Sequence, residues 1–190
     1  KQKSIERLTK GIEALASVGG KDIIFHPGFY LDSTKEEAFE SINIELAKLP
    51  VVENTFYRLE TTGKESQFGN VKELCSLVKN HEHVKLCVDF SHIHARYVGI
   101  LKEYDDFAKI FDYIGEQLGE EALKDLHVHL SGIEYTKKGE KNHLPFNESD
   151  FEIEKCLKAF VNYDVKGCII CESPILEKDA LLMKSIYESL

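Results

Sequence analysis

The sequence predicts an α/β fold built on a parallel sheet. Three observations carry this. Helix-patterned and short apolar segments alternate along the chain, the apolar segments are continuously rather than alternately hydrophobic, and each is closed by turn or polar residues. A strand covered on both faces by crossover helices reads in this way, whereas a half-exposed antiparallel strand alternates.

The first helix spans Ser4 to Val18, with Ile5, Leu8, Ile12 and Leu15 at helical spacing and Gly19-Gly20 as its stop. Asp22-Ile23-Ile24-Phe25-His26-Pro27-Gly28 follows, a short apolar run ended by Pro-Gly that reads as a buried parallel strand. Ser33-x-x-Glu36 reads as a capping box opening a helix that runs to about Leu49, before Pro50. Asn54 to Leu59 is a strand, Asn70 to Asn80 a helix, and Val84 to Asp89 a strand. Asp105 to Leu118 is amphipathic, with Phe107, Ile110, Phe111 and Ile114 on one side. Leu126 to Leu130 is the fourth strand. After a polar loop, Ser149-x-x-Glu152 predicts another helix start, followed by the strand Gly167 to Cys171 and a last helix from about Leu176 to Leu190. No Gly-rich dinucleotide or P-loop turn follows any strand, which argues against a doubly wound nucleotide-binding sheet.

The chain of 190 residues suits one domain, residues 1–190, and the composition (43% hydrophobic, 30% charged, four prolines) is that of a globular protein. No apolar run approaches the ~20 residues of a membrane span, and no signal-peptide pattern opens the chain. The sequence begins at Lys1 rather than a methionine, so the protein's own N-terminus is expected elsewhere. A net charge of −9 argues against coating nucleic acid through a broad basic face, though a local basic rim could still meet phosphates. The five cysteines are an odd set without framework spacing, which suits a reducing cytoplasm. Cys168 and Cys171 form a C-x-x-C inside a strand, where positions three apart face opposite sides; they are expected to be core cysteines rather than a metal site.

Each strand delivers a ligand-type residue at its C-terminal end: His26, Glu60, Asp89 with His92 three later, His129, and Glu172. The intervals are 34, 29, 40 and 43 residues, each about one βα unit. In a TIM (β/α)8 barrel the C-terminal strand ends converge on one face, so these side chains would line a single cavity, and mixed imidazoles and carboxylates suit zinc or manganese. Each alone has a bland explanation. His26 can be a turn histidine, Asp89 and His92 can cap a loop or helix, and His127 can pack beneath His129. Glu60 or Glu172 alone would be a buried carboxylate in need of a partner. Five coincidences at five successive strand ends outweigh these separate explanations.

The segments Phe25-His26-Pro27-Gly28, Leu59-Glu60-Thr61-Thr62-Gly63, Val88-Asp89-Phe90-Ser91-His92, His129-Leu130-Ser131-Gly132 and Ile170-Cys171-Glu172-Ser173-Pro174 resemble the metal-binding strand ends of the endonuclease IV family of xylose-isomerase-like barrels. The resemblance runs from about Ile23 to the C-terminus. It implies a zinc-dependent DNA-repair endonuclease with two or three ions, cutting the phosphodiester 5′ to abasic sites. By position, His26 would bind the first metal and Glu60 would bridge the first and second. Asp89, His129 and Glu172 would complete the second, and His92 and His143 would serve the third. Glu60 and Glu172 are the expected catalytic carboxylates, and DNA containing abasic sites is the expected partner.

Two departures stand out. Five strands are present where a barrel needs eight and about 250 residues, so the chain is expected to be the last five βα units of the barrel, without the first three strands. In the third-metal loop the family has an Asp-x-His pair, but here Lys141 precedes His143 by two, and Glu140 stands one position off. The alternative function is a one-metal sugar isomerase or epimerase of the same superfamily, using Glu60, Asp89, His129 and Glu172. His26 and the His92/His143 pair, which one metal does not require, favour the nuclease. A non-catalytic barrel that kept part of the site is the third class. Arg96, Lys137, Lys138 and Lys141 are the candidate phosphate contacts, each equally explicable as a solvated charge.

Overall fold

The computed structural model describes residues 2–190. The elements follow the alternation read from the sequence: α1 (Gln2–Ser17), β1 (Asp22–Phe25), β2 (Gly28–Phe29), α2 (Lys35–Leu46), β3 (Phe56–Glu60), β4 (Gln67–Phe68), α3 (Val71–Val78), β5 (Val84–Asp89), α4 (Phe90–Arg96), α5 (Tyr104–Leu118), β6 (Leu126–Leu130), β7 (Gly132–Thr136), β8 (Gly139–Leu144), α6 (Ile153–Asn162), β9 (Gly167–Cys171) and α7 (Glu177–Ser189). The main sheet has the order β1-β3-β5-β6-β9, with β1–β3, β3–β5 and β6–β9 paired in parallel. This is the succession of parallel βα units that the continuous apolar runs predict. The chain divides into two compact units, one running to Glu60 and including Ser66–Cys87, the other comprising Thr61–Glu65 and Val88–Leu190.

The core of the first unit includes Ile12, Leu46, Leu49, Tyr57, Leu59, Phe68, Leu74 and Leu77, all buried. The sheet also buries Arg58, whose Nε donates to Asp22 Oδ1 at 2.6 Å and whose Nη1 donates to the Leu86 carbonyl at 3.2 Å. One guanidinium thus ties β1, β3 and β5 together, a pairing that a buried charge requires. A short antiparallel pair, β2 with β4, closes over the loops after β1 and β3. Helix α2 begins one residue later than the sequence predicts. Thr34, not Ser33, is the cap, its Oγ1 accepting from the Glu37 N–H at 3.1 Å while the Glu37 carboxylate accepts from the Thr34 N–H at 2.8 Å. Ser33 and Glu36 lie in the same frame shifted by one, a slip that spacing alone does not resolve. Asn70 caps α3 with Glu73 in the same reciprocal arrangement.

The second unit is organised by aromatic packing. Phe90 lies 5.4 Å from Phe111 and 5.5 Å from Phe160 between ring centroids, and Phe111 and Phe160 are 5.0 Å apart and edge-on. Helices α4, α5 and α6 meet there, each supplying one ring. The polar loop expected between β6 and the next helix is the β7–β8 hairpin. Ser149 does not open α6. Its hydroxyl accepts from the Ile133 N–H at 3.0 Å and fastens that hairpin, while α6 starts at Ile153 after Glu152 without a side-chain cap. The cysteine expectation also needs correction. Cys75, Cys87 and Cys156 are buried, and burial pushes the Cys75 thiol up to about 12, but Cys168 is exposed and Cys171 half-buried. They stand on β9, the last strand of the sheet order, whose side chains are largely exposed. Among the described residues no helix is long and apolar enough to cross a membrane.

Candidate metal centre

His26, Glu60, Asp89, His129 and Glu172 stand at or next to the C-terminal ends of β1, β3, β5, β6 and β9. In the first unit His26 follows the last residue of β1 and Glu60 closes β3. Parallel pairing of the two strands brings His26 Nε2 to 3.2 Å from Glu60 Oε2. Glu60 is buried to 8% exposure, a burial that is costly for a carboxylate without a partner. His26 and Phe25 also line a cavity of about 460 Å³ with residues of α1 and α2.

The second unit holds the rest. Asp89 closes β5 and at the same time caps α4, its Oδ1 accepting from the His92 N–H at 2.8 Å. The Asp-x-x-His spacing is therefore a capping spacing as well as a ligand spacing, and the same carboxylate serves both. Sequence reading places α4 nowhere, because seven residues are too few to show helical periodicity. Thr61 anchors the strand end. Its Oγ1 accepts from the Asp89 N–H at 2.8 Å and donates to the Asp89 carbonyl at 3.0 Å. The parallel ladder carries on past β9, the Glu172 N–H donating to the Leu130 carbonyl at 2.9 Å, which sets Glu172 Oε1 at 3.4 Å from His129 Nδ1. Asp89, His129 and Glu172 all offer ligand atoms within 4.8 Å of one another. His127 and His129 contact edge-on at 5.3 Å, so one ring supports the other.

The third group is Asp89, His92 and His143, again within 4.8 Å. Here the tautomers follow from the partners. His92 Nδ1 lies 2.9 Å from the Thr61 carbonyl, and His143 Nδ1 lies 3.1 Å from the Glu172 carbonyl. A carbonyl oxygen can only accept, so each ring directs an Nδ1–H to it and turns Nε2 toward the other ring. The two Nε2 atoms face each other at 3.4 Å. A proton on one of them or a metal ion beside both would satisfy the pair, and a ring whose second nitrogen is tied to a carbonyl is the ordinary disposition of a metal-binding histidine. The residues present therefore fit divalent metal ions of the zinc type, with imidazole and carboxylate donors.

Of the candidate phosphate contacts, Arg96 is corrected. It is buried, and its Nη1 donates to Thr62 Oγ1 at 2.8 Å and to the Lys64 carbonyl, holding the loop after β3 instead of meeting solvent. Lys141 pairs with Glu134 at 2.6 Å. The sequence reading missed Thr61 as an anchor and left Glu140 outside the site, although the Glu140 carboxylate lies 3.7 Å from His92 Nε2.

Comparison with known proteins agrees with the fold. The model of the xylose isomerase-like TIM barrel family matches residues 1–186. The whole chain is 45% identical to an uncharacterized protein of Methanocaldococcus jannaschii, of which it covers 70%. It is 28% identical, over 96% of its length, to a probable endonuclease 4 of Bacillus velezensis, of which it covers 63%. The chain thus spans about two thirds of the length of these relatives. The fold also resembles the crystal structure of mannonate dehydratase from Streptococcus suis, with a TM-score of 0.64 at 11% identity, covering 97% of this chain and 71% of that one. From the succession of parallel βα units and the family match over nearly its full length, the chain belongs to the xylose isomerase-like TIM barrel family.

Proposed function

We propose that this chain carries most of the metal centre of a zinc-dependent apurinic/apyrimidinic endonuclease, which hydrolyses the DNA phosphodiester on the 5′ side of an abasic site. The observation that carries this reading is the His92/His143 pair, whose Nε2 atoms face each other in addition to the carboxylate and histidine set of Asp89, His129 and Glu172. A one-metal sugar isomerase has no use for that pair. Similarity to proteins named as probable endonuclease 4 supports the same reading.

In this proposal His26 and Glu60 would hold one ion, Asp89, His129 and Glu172 a second, and His92 and His143 a third. When bound, such ions lower the pKa of a water and neutralise charge on a phosphate, which is the chemistry that phosphodiester hydrolysis needs. The chain's own residues fix the donors. Thr61 locks the peptide of Asp89, two backbone carbonyls fix the histidine tautomers, and Ser91 Oγ clamps the end of β6 by donating to the Ser131 carbonyl at 2.6 Å.

The test is nicking of duplex DNA containing an abasic analogue by the metal-loaded full-length protein. The expected products carry a 3′-hydroxyl and a 5′-deoxyribose phosphate. Glu172→Gln is expected to slow the reaction at least about tenfold, as even outer partners of a metal do when altered. Binding should weaken as salt rises. An uncut abasic strand, with interconversion of a ketose and its epimer instead, would overturn the proposal.

A further inference from the structure

The loop that carries His143 departs from the pattern in which an aspartate stands two residues before it, because Lys141 occupies that position. In a regular strand, residues 141 and 143 would share a face and residue 140 would point away. The β7–β8 hairpin is not regular. Ile133 pairs with His143 and Glu134 with Asn142, but Tyr135 pairs with Glu140, so Lys141 is an extra residue without a cross-strand partner. A bulge of this kind inverts the alternation beyond it. Cross-strand partners share a face, and Ile133 and Tyr135, two apart on β7, share one also. Their partners His143 and Glu140 therefore lie on the same face. Lys141 is turned to the opposite one, where its Nζ meets Glu134 at 2.6 Å.

From this geometry we infer that Glu140 is the carboxylate ligand completing the His92/His143 metal site, delivered there by the bulge at Lys141. Its Oε2 lies 3.7 Å from His92 Nε2, the nitrogen turned toward His143. Asp89 approaches the same ring from the other side, its Oδ2 3.4 Å from Nδ1, the nitrogen already donating to the Thr61 carbonyl. Two glycines make the room. A Cβ on Gly63 would stand 2.5 Å from Glu140 Oε2, and one on Gly139, whose φ is +91°, would stand 2.3 Å from the Gly63 carbonyl. That carbonyl accepts from the Glu140 N–H at 2.9 Å, which fixes the start of the glutamate. The backbone of two loops has thus been brought close around this side chain, as only glycine permits.

The inference rests on the metal-centre reading of the previous subsection but not on the nuclease activity, so its test reads metal alone. Cobalt(II) or zinc is titrated into metal-free full-length protein, with stoichiometry and affinities taken by calorimetry and by the visible spectrum of bound cobalt. Glu140→Gln should weaken one ion at least about tenfold and leave the others in place, with an unchanged circular dichroism spectrum. Lys141→Ala should bind as wild type. Adding Lys141→Asp to Glu140→Gln should not restore the lost ion, because the bulge turns position 141 away. Unchanged binding by Glu140→Gln, restoration by the added aspartate, or no ion bound by the unaltered protein would each overturn the assignment. Binding as expected in a protein that leaves abasic DNA intact would sink the nuclease reading and leave this one standing.

Discussion

His92 Nε2 and His143 Nε2 stand 3.4 Å apart, each ring held from behind by a backbone carbonyl. The pair is preorganised for a cation, so zinc should stabilise the fold by linkage. At a zinc concentration a hundredfold above the dissociation constant, the gain is about 2.7 kcal/mol for one site. Thermal or urea unfolding with and without zinc should show it, and His92→Ala should lose that one increment. Elemental analysis of full-length protein should find at least two divalent ions. Glu60→Ala should lose one, the ion that it would hold with His26.

The Thr61 hydroxyl bonds both the backbone N–H and the backbone carbonyl of Asp89 inside a buried site. Thr61→Val keeps the shape and removes both bonds. It should cost about 1–3 kcal/mol in urea unfolding, the range for leaving a buried polar group unsatisfied. The metal affinity of the Asp89 site should fall about 10- to 100-fold, since an outer residue orients the ligand. A destabilised variant with undiminished metal affinity would mean that Thr61 supports the fold alone.

A separate polar cluster governs acid sensitivity. His94 is buried, and this desolvation lowers its pKa despite the hydrogen bond to Asp150 at 3.1 Å. An imidazole with a lowered folded pKa contributes stability above its unfolded value of about 6.5, and that contribution is lost as pH falls below it. Desolvation acts to raise the Asp150 pKa, but hydrogen bonds from Lys102, Tyr135 and His94 together outweigh it and hold the carboxyl well below the usual carboxylate range. Its contribution is present above the unfolded value of about 3.9 and lost as pH falls through the acid range below. Urea unfolding between about pH 8 and pH 3 should show stability falling first below about 6.5 and again below about 4. Asp150→Asn should shrink the second step, leaving the part that Asp106 and Asp164, whose pKa values are also lowered, contribute. The cost at neutral pH should be about 1 kcal/mol, because the Asp150 side chain is 48% exposed and solvent screens its ion pairs. A wild-type acid limb in that variant would refute the assignment of the second step.

The alternation of elements and the strand-end residues are legible in the sequence because both depend on local pattern. A parallel strand buried on two faces must be apolar throughout, and its C-terminal end is where the next polar residue emerges. Val84–Asp89, Leu126–Leu130 and Gly167–Cys171 are read to the residue. The helix starts at Thr34 and Ile153 are not, since Ser33-x-x-Glu36 and Ser149-x-x-Glu152 satisfy the same spacing. The choice belongs to the backbone that enters the helix.

Tertiary structure alone decided three features of the site. Asp89 is both helix cap and ligand because a strand end and a helix start coincide at one residue. The tautomers of His92 and His143 come from carbonyls 31 and 29 residues distant along the chain. The face that Glu140 presents depends on one unpaired residue in a hairpin, and a shift of a single position inverts every side chain beyond it. Local pattern specifies which residues alternate with which. The register between two strands is set only when they pair.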